Sequence, residues 1–297
     1  MSADTATRQG RSLGRTLMNK VPEITLYFWV IKIMCTTIGE TAADYVNDTL
    51  GFGLVNTTYV SGALLAVLLL VQFRMRRYVP LAYWLVVVVI SVFGTLITDN
   101  LTDGHNVPLT TTTPIFAAIL AVVFAIWWAV ERTLSVHTIV TSRREAFYWL
   151  AVLFTFALGT AAGDLVAEKA DLGYAVSVGV FGGAIAVVAF AHYVLKWNAV
   201  LTFWLAYILT RPLGASIGDF LSQSDPKYGG LGLGTTATSG IFLACILAMI
   251  AYLTISKRDQ TPEQVVLAEE AAHPLQRTEH HPHPQPRIAA GQSPDEA

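Results

Sequence analysis

Pairs of acidic residues spaced four apart recur in four apolar stretches of the sequence. The stretches are CTTIGETAAD (35–44), GTLITDNLTD (94–103), GTAAGDLVAE (159–168) and GASIGDFLSQ (214–223), and they align with one another without a gap. Positions i and i+4 lie on one face of a helix, so each pair can point to a common place. The acids are Glu40, Asp44, Asp99, Asp103, Asp164, Glu168 and Asp219, and Gln223 completes the fourth pair.

Carboxylates in such apolar surroundings favour the binding of a metal cation. An ionised carboxylate is costly in hydrocarbon unless it is paired, hydrated or metal-bound. A second carboxylate one turn away adds repulsion, and so does the negative end of the helix dipole. Oxygen-only ligands suit hard divalent cations. The sequence therefore predicts a cation site formed by these seven acids, with Mn²⁺ or Mg²⁺ favoured and no other cofactor.

Two basic residues accompany the acids inside the apolar runs. Lys32 lies eight residues before Glu40, and Arg211 lies eight residues before Asp219. Basic residues inside membrane spans are functional candidates. We interpret both as counter-charges, which compensate the acids in the absence of a cation or act as a gate. Pro212 is expected to kink the span that contains Arg211.

Other interpretations of the same acids stay open at this point. Acids near the ends of membrane spans can lie hydrated in the headgroup region, and repeated small residues can serve helix packing alone. The protein would then be a membrane scaffold or sensor that transports nothing. An enzyme is not expected, because the sequence lacks the Gly-x-Gly-Asp, His-Glu-x-x-His and Gly-rich phosphate-loop motifs.

The composition predicts that helices within a membrane carry these residues. The chain has 297 residues, of which 54% are hydrophobic and 13% are charged, whereas soluble domains contain about 25% charged residues. Apolar runs of about 17–25 residues are long enough to cross a bilayer as helices. We predict an all-α protein with eight transmembrane helices, at roughly 24–46, 57–73, 80–98, 112–130, 146–163, 174–195, 198–218 and 236–256.

The distribution of basic residues predicts the orientation of these spans. Lys and Arg concentrate in the N-terminal segment, in the loops after spans two, four and six, and directly after span eight. The opposite side has only Lys169 and Lys227. Short loops rich in Lys and Arg remain in the cytoplasm. Both termini are therefore expected to be cytoplasmic, with the acidic ends of the odd spans on the outer face.

The recurrence of the acidic stretches divides the chain into four repeats. We predict that each repeat is a helical hairpin, and that repeats in one orientation share a pseudo-symmetry axis along the membrane normal. A basic cytoplasmic segment (1–22) precedes the membrane domain (23–258), and a disordered cytoplasmic tail (259–297) follows it. The predicted repeats cover about 23–77, 78–140, 141–196 and 197–258.

The sequence resembles a bacterial family of multi-span inner-membrane proteins that carry the label "uncharacterised membrane-anchored protein". The four acidic stretches and the segment NKVPEITLYFWVIKIMCTTIGETAADYVN carry this resemblance, which covers about residues 19 to 256. The resemblance implies a location in the bacterial inner membrane and no particular activity.

The residues themselves therefore have to indicate the function. They predict a transporter or channel-like protein for a divalent cation in the bacterial inner membrane. Its partners would be membrane lipid and an inorganic cation, because the sequence contains no nucleic-acid-binding motif. The oligomeric state stays open.

Overall fold

The protein is described by a computed structural model that covers residues 19–224, 227–260 and 265. The described part of the chain contains eight long α-helices of 19 to 24 residues and no strand. Short π-helical turns follow the first, third and fifth of these helices directly. The helices are α1 (Leu26–Asp44), α2 (Leu54–Arg74), α3 (Pro80–Asp99), α4 (Leu109–Glu131), α5 (Ser142–Asp164), α6 (Tyr174–Tyr193), α7 (Ala199–Ser222) and α8 (Thr235–Ser256).

Seven of these helices, α2 to α8, are long and apolar enough to cross a membrane. The predicted all-helical, multi-span membrane protein is confirmed to this extent. The remaining helix, α1, carries Lys32, Glu40 and Asp44 within its 19 residues. It lies in the interior of the bundle, in contact with α3, α7 and α8.

The eight helices form an inner ring and an outer layer. The odd-numbered helices pack in the closed order α1, α3, α5, α7 and back to α1. In the most apolar window of α3, α5 and α7, 56% of the residues are buried, against 17–22% for the even-numbered helices. The odd-numbered helices therefore build the core, and the even-numbered helices expose most of their surface on the outside of the bundle.

The predicted packing of each repeat as a hairpin is wrong. Each outer helix packs mainly against the inner helix of the next repeat: α2 on α3, α4 on α5, α6 on α7, and α8 on α1. Short connections favour antiparallel neighbours, and five residues (75–79 and 194–198) join α2 to α3 and α6 to α7, whereas nine (45–53) separate α1 from α2. Connection length does not explain the other two pairs, because ten residues (132–141) join α4 to α5, and α1 and α8 are not consecutive in the chain.

Close contacts at four glycines fix the register of the inner ring. Each glycine lies against the next inner helix at one position, in the pairs Gly39–Ser91, Gly94–Phe156, Gly159–Arg211 and Gly214–Thr36. Successive glycines are 55, 65 and 55 residues apart. The π-helical turns begin at Tyr45, Asn100 and Leu165, which are again 55 and 65 residues apart. Two independent features of the structure thus give one register.

This register corrects the gapless alignment by one helical turn in the first repeat. Asp44, and not Glu40, is the counterpart of Asp99, Asp164 and Asp219, because each of these acids follows its glycine by five residues. Glu40 instead occupies the position of Thr95, Thr160 and Ala215.

The two buried basic residues are not counterparts of one another either. Arg211 corresponds to Thr36 in the first repeat, and Lys32 corresponds to Val87, Val152 and Tyr207. Each basic residue therefore differs from the residues at the corresponding positions of the other repeats, and the two lie at different levels of the ring.

Substitution of a ring glycine should destabilise the bundle. A Cβ added at Gly94 would lie 2.7 Å from Phe156 Cβ and 3.3 Å from the Ala157 amide nitrogen. Such overpacking costs about 1–3 kcal/mol, so we expect Gly94→Ala to lower the Tm. Gly182 on the outer helix α6 has no atom within 4 Å of an added Cβ. Gly182→Ala is the matched control and should leave the Tm unchanged or raise it slightly in thermal unfolding in detergent.

Both described ends of the chain lie at the same end of the bundle, which we call the terminal end. Asn19 and Lys20 are buried there, and the Glu23 amide donates to the Asp259 carbonyl over 3.0 Å. The Lys20 ammonium donates to Glu145 Oε2 over 2.6 Å. The rest of the predicted N-terminal segment and almost all of the predicted tail lie outside the described residues.

Asp259 gives the terminal end a pH-dependent contribution to stability. It is 2% exposed and accepts a 2.6 Å hydrogen bond from the Tyr78 hydroxyl. Burial raises the pKa of the Asp259 carboxyl, although the Tyr78 hydrogen bond acts in the opposite direction.

A carboxyl whose pKa is higher in the folded state stabilises the fold at low pH and loses this contribution as the pH rises. We therefore expect Asp259→Asn to raise the Tm relative to the unaltered protein at pH 8. The two proteins should have nearly equal Tm values at pH 3, below the ordinary pKa of about 3.9. Thermal unfolding at both pH values checks this, and a lower Tm for the variant at pH 8 would contradict it.

Candidate functional site

The inner helices finish together at the end opposite to the terminal end, and we call this the acidic end. Asp44, Asp99 and Asp164 are the last α-helical residues of α1, α3 and α5, and Asp219 lies in the last turn of α7. Small residues allow the helices to approach one another here. A Cβ added at Gly218 would lie 3.2 Å from the Thr37 carbonyl oxygen. Close packing therefore brings the four acidic ends into one region.

Three of the predicted acids converge in this region. Glu40, Asp164 and Asp219 each offer a carboxylate oxygen, and these oxygens lie within 4.8 Å of one another. Glu40 and Asp219 are 7% and 9% exposed, and Asp164 is half-buried. We call these three residues the acidic cluster.

Asp99 lies next to the acidic cluster. Its side chain is half-buried, and its electrostatic neighbours are the carboxylates of Glu40, Asp164, Asp44 and Asp103. Acids from all four inner helices therefore lie in one region.

Arg211 lies at the base of the acidic cluster. The guanidinium is fully buried, and its Nη2 donates to Glu40 Oε2 over 2.9 Å and to Thr160 Oγ1 over 2.7 Å. The same nitrogen donates to Thr95 Oγ1. Glu40, Thr95 and Thr160 are the residues that directly follow the ring glycines of their repeats. One nitrogen of Arg211 therefore joins three repeats at a single level of the ring.

The helix α7 holds Arg211 in place by close packing. The aliphatic part of the arginine fills the space beside Gly159, which has no side chain to exclude it. Pro212 follows inside the helix and packs beside Gly163, where an added Cβ would lie 3.6 Å from Pro212 Cα. Within the described residues, the Nε and Nη1 atoms of Arg211 have no hydrogen-bond partner. The guanidinium is thus buried with only part of its donor capacity used.

Lys32 lies deeper in the ring, toward the terminal end. The side chain is 1% exposed, and its ammonium lies 3.8 Å from the ring centroid of Tyr207 and 4.8 Å from that of Phe156. Among the described residues no acceptor is within hydrogen-bond distance of Lys32 Nζ. Lys32 is therefore a buried basic group of the ring without an ion pair, unlike Arg211.

The other predicted site residues surround the acidic cluster. Asp44 accepts a 3.2 Å hydrogen bond from Gln223 Nε2 and is half-buried, and Asp103 is exposed. The side chain of Glu168 lies outside the described residues. Of the seven predicted acids, the structure thus brings three together and places Asp99 among their electrostatic neighbours.

Sequence reasoning missed one set of buried polar residues near Lys32. Tyr83 and Tyr148 share a 2.5 Å hydrogen bond between their hydroxyls, and Tyr148 also neighbours Tyr207. The sequence contained a signal for these tyrosines, because an aromatic residue directly precedes tryptophan in every repeat: Phe28–Trp29, Tyr83–Trp84, Tyr148–Trp149 and Phe203–Trp204.

These features define a membrane-embedded helical protein built from four repeats around a charged centre. The chain belongs to the family described as Repeat of Unknown Function (DUF347), whose model matches residues 27–78, 82–133, 147–197 and 202–259. The four matches begin 55, 65 and 55 residues apart, which is the register of the ring glycines. No curated protein and no solved structure shows significant similarity to the chain.

Proposed function

We propose that the protein binds a divalent cation at the acidic cluster and transports it across the membrane. The observation that carries this proposal is that carboxylate oxygens of Glu40, Asp164 and Asp219 lie within 4.8 Å of one another at the acidic end. Mn²⁺ and Mg²⁺ are the first candidates, because both prefer oxygen ligands.

Charge balance supports a divalent ion in particular. Three ionised carboxylates and the guanidinium that contacts Glu40 leave a net charge of −2 in a buried site. One divalent cation neutralises this charge, whereas a monovalent cation leaves a buried negative charge that is costly at membrane depth.

The oxygen spacing also suits a divalent ion. An ion equidistant from three oxygens that lie within 4.8 Å of one another would be at most about 2.8 Å from each, close to the Ca²⁺ range of about 2.3–2.6 Å. Mg²⁺ requires about 2.0–2.1 Å, so the carboxylates would move inward by up to about 0.8 Å or bind it through water. Ca²⁺ therefore belongs in the panel of ions to be tested.

The proposed setting is the inner membrane of a bacterium, with α1 as an eighth crossing and both termini in the cytoplasm. The excess of Lys and Arg in the loops of the terminal end supports this orientation. The acidic end then faces outward and concentrates cations at the entrance. Arg211 and Lys32 separate the acidic cluster from the cytoplasm and act as counter-charges until a cation binds.

Uptake of divalent ions into proteoliposomes tests the proposal. We expect saturable uptake of Mn²⁺ or Mg²⁺ by the unaltered protein and a loss of at least about tenfold in Asp164→Asn, because ligand charge sets affinity. Asp171→Asn is the matched control, since Asp171 is an exposed acid that pairs with Lys227 over 3.0 Å. Uptake of none of the ions by the unaltered protein would favour a scaffold or sensor, and equal uptake by both variants would exclude Asp164 from the pathway.

A further inference from the structure

Lys32 combines features that a structural residue does not require. It is fully buried in the ring without a hydrogen-bond acceptor among the described residues. Cation–π contacts with Tyr207 and Phe156 compensate its charge only in part. The corresponding residues of the second and third repeats are Val87 and Val152, so packing at this level of the ring does not need an amine.

Few charged or titratable residues surround Lys32. Cys35 on α1 and Arg211 on α7 act on it electrostatically, and Tyr207 on α7 contacts it. The helix α5 contributes Phe156. The titratable groups of α3 and α8 lie farther from Lys32. On α3 this group is Tyr83, a neighbour of Tyr207. On α8 it is Tyr252, whose ring contacts that of Tyr27 near the start of α1.

Buried tyrosine hydroxyls lie between Lys32 and the terminal end. Tyr207 contacts Lys32 and neighbours Tyr148, and the Tyr148 hydroxyl shares a 2.5 Å hydrogen bond with that of Tyr83. All three tyrosines are fully buried. The ring of Tyr83 lies 5.8 Å from the ring of Tyr78, whose hydroxyl donates to Asp259 at the terminal end.

We propose that Lys32 exchanges a proton with the terminal end through these tyrosines, and that the exchange is coupled to occupancy of the acidic cluster. This inference rests on the proposed function, because it assigns a coupling ion to the same cation site. It changes the predicted role of Lys32 from a fixed counter-charge to a group that gains and loses its charge.

The coupling between cation binding and the protonation of Lys32 is electrostatic. Without a cation, the negative charge of the acidic cluster favours a protonated Lys32, about 12 Å along α1 from Glu40. A divalent cation in the cluster removes this compensation and leaves Lys32 beside Arg211 without an acceptor. The amine then releases one proton to the Tyr207 hydroxyl, which has no hydrogen-bond partner among the described residues, and Tyr207 passes its own proton to Tyr148. The proton finally leaves at the terminal end, and no electron is transferred.

Simultaneous recording of Mn²⁺ and proton movement in proteoliposomes tests the coupling. With the unaltered protein we expect each Mn²⁺ that binds at the acidic cluster to release one proton at the terminal end. In Lys32→Met, Mn²⁺ binding should persist, and proton movement should fall at least tenfold. Tyr148→Phe removes a single oxygen from the pathway and should slow proton movement at least tenfold with unchanged Mn²⁺ affinity. Tyr174→Phe is the control, because Tyr174 is a buried tyrosine at the start of α6, near the acidic end.

The outcomes separate the coupling from the cation site itself. Mn²⁺ movement without proton movement in the unaltered protein, or normal proton movement in both Lys32→Met and Tyr148→Phe, overturns the coupling and leaves the proposed function intact. Absence of Mn²⁺ binding and movement in the unaltered protein overturns both. If Lys32→Met fails to fold, Tyr148→Phe decides alone, because its loss of one hydroxyl preserves the size of the side chain.

Discussion

Replacement of Arg211 by methionine is expected to have the largest effect on stability of any substitution in the ring. The guanidinium is fully buried and pairs with Glu40 over 2.9 Å. Removal of one partner from a buried ion pair costs about 3–5 kcal/mol, because the other charge stays buried without compensation. In the absence of divalent ions, the Tm of Arg211→Met should fall markedly in thermal unfolding.

The same substitution should strengthen the response to cations. Without Arg211 the acidic cluster has a net charge of −3 when its three carboxylates are ionised, so a divalent ion should stabilise the variant more than the unaltered protein. The double variant Arg211→Met/Glu40→Gln is the matched control, because removal of both charges should restore most of the stability. A destabilised Arg211→Met that gains no extra stability from Mn²⁺ would show that the ion pair serves only the fold.

Asp164→Asn is expected to have the largest effect on cation binding. The asparagine keeps the shape of the side chain but removes one of the three charges of the acidic cluster. We expect Mn²⁺ affinity to fall by about 10- to 100-fold, because ligand charge largely sets the affinity of oxygen sites. Mn²⁺ at 100 times the dissociation constant stabilises a protein by about 2.7 kcal/mol, and the same concentration should stabilise the variant by only about 0.4–1.4 kcal/mol. The Mn²⁺-dependent rise in Tm should therefore shrink to about half or less.

Stability without cations should change in the opposite direction in this variant. Removal of one like charge relieves repulsion with Glu40 and Asp219, so the cation-free Tm of Asp164→Asn should equal or exceed that of the unaltered protein. Asp171→Asn again supplies the control, since it removes a charge from an exposed acid with a basic partner. Equal Mn²⁺-dependent rises in Tm for all three proteins would contradict the assignment of Asp164 to the site.

The helices of this protein were predictable because apolar length decides them. The predicted spans 24–46, 80–98 and 236–256 correspond to Leu26–Asp44, Pro80–Asp99 and Thr235–Ser256. The packing partners of the outer helices were not predictable, because these helices are apolar on all sides and their composition does not select a neighbour. Connection length contains part of the missing information: five residues join α2 to α3 and α6 to α7, which pack, but ten residues join α4 to α5, which also pack.

The register of the first repeat was mispredicted because its acids are spaced by one helical turn. A shift of four residues superimposes Glu40 on the acids of the other repeats as well as Asp44 does. Two signals in the sequence distinguish the alternatives: Gly39 aligns with the other ring glycines, and Trp29 precedes Asp44 by the fifteen residues that separate Trp84 from Asp99. Packing at the ring glycines selects the register, because only a glycine permits these contacts.

The candidate site was predictable in its residue types and not in its internal pairing. Spacing alone indicated that acids from several helices share one end of the bundle. It did not indicate that Glu40 occupies a threonine position or that Arg211 Nη2 reaches Glu40 and Thr160 across the ring. Those contacts depend on how far a long side chain extends beside Gly159, which only the packed structure defines.

The most direct test of the cation site is a titration of the purified protein with Mn²⁺, monitored by electron paramagnetic resonance, which distinguishes free from bound Mn²⁺. We predict one bound Mn²⁺ per chain, weaker binding by about 10- to 100-fold in Asp164→Asn, and unchanged binding in Asp171→Asn. Competition by Mg²⁺ and Ca²⁺ in the same experiment ranks the ions. Absence of bound Mn²⁺ in the unaltered protein, or equal binding by the unaltered protein and Asp164→Asn, would contradict a cation site formed by Glu40, Asp164 and Asp219.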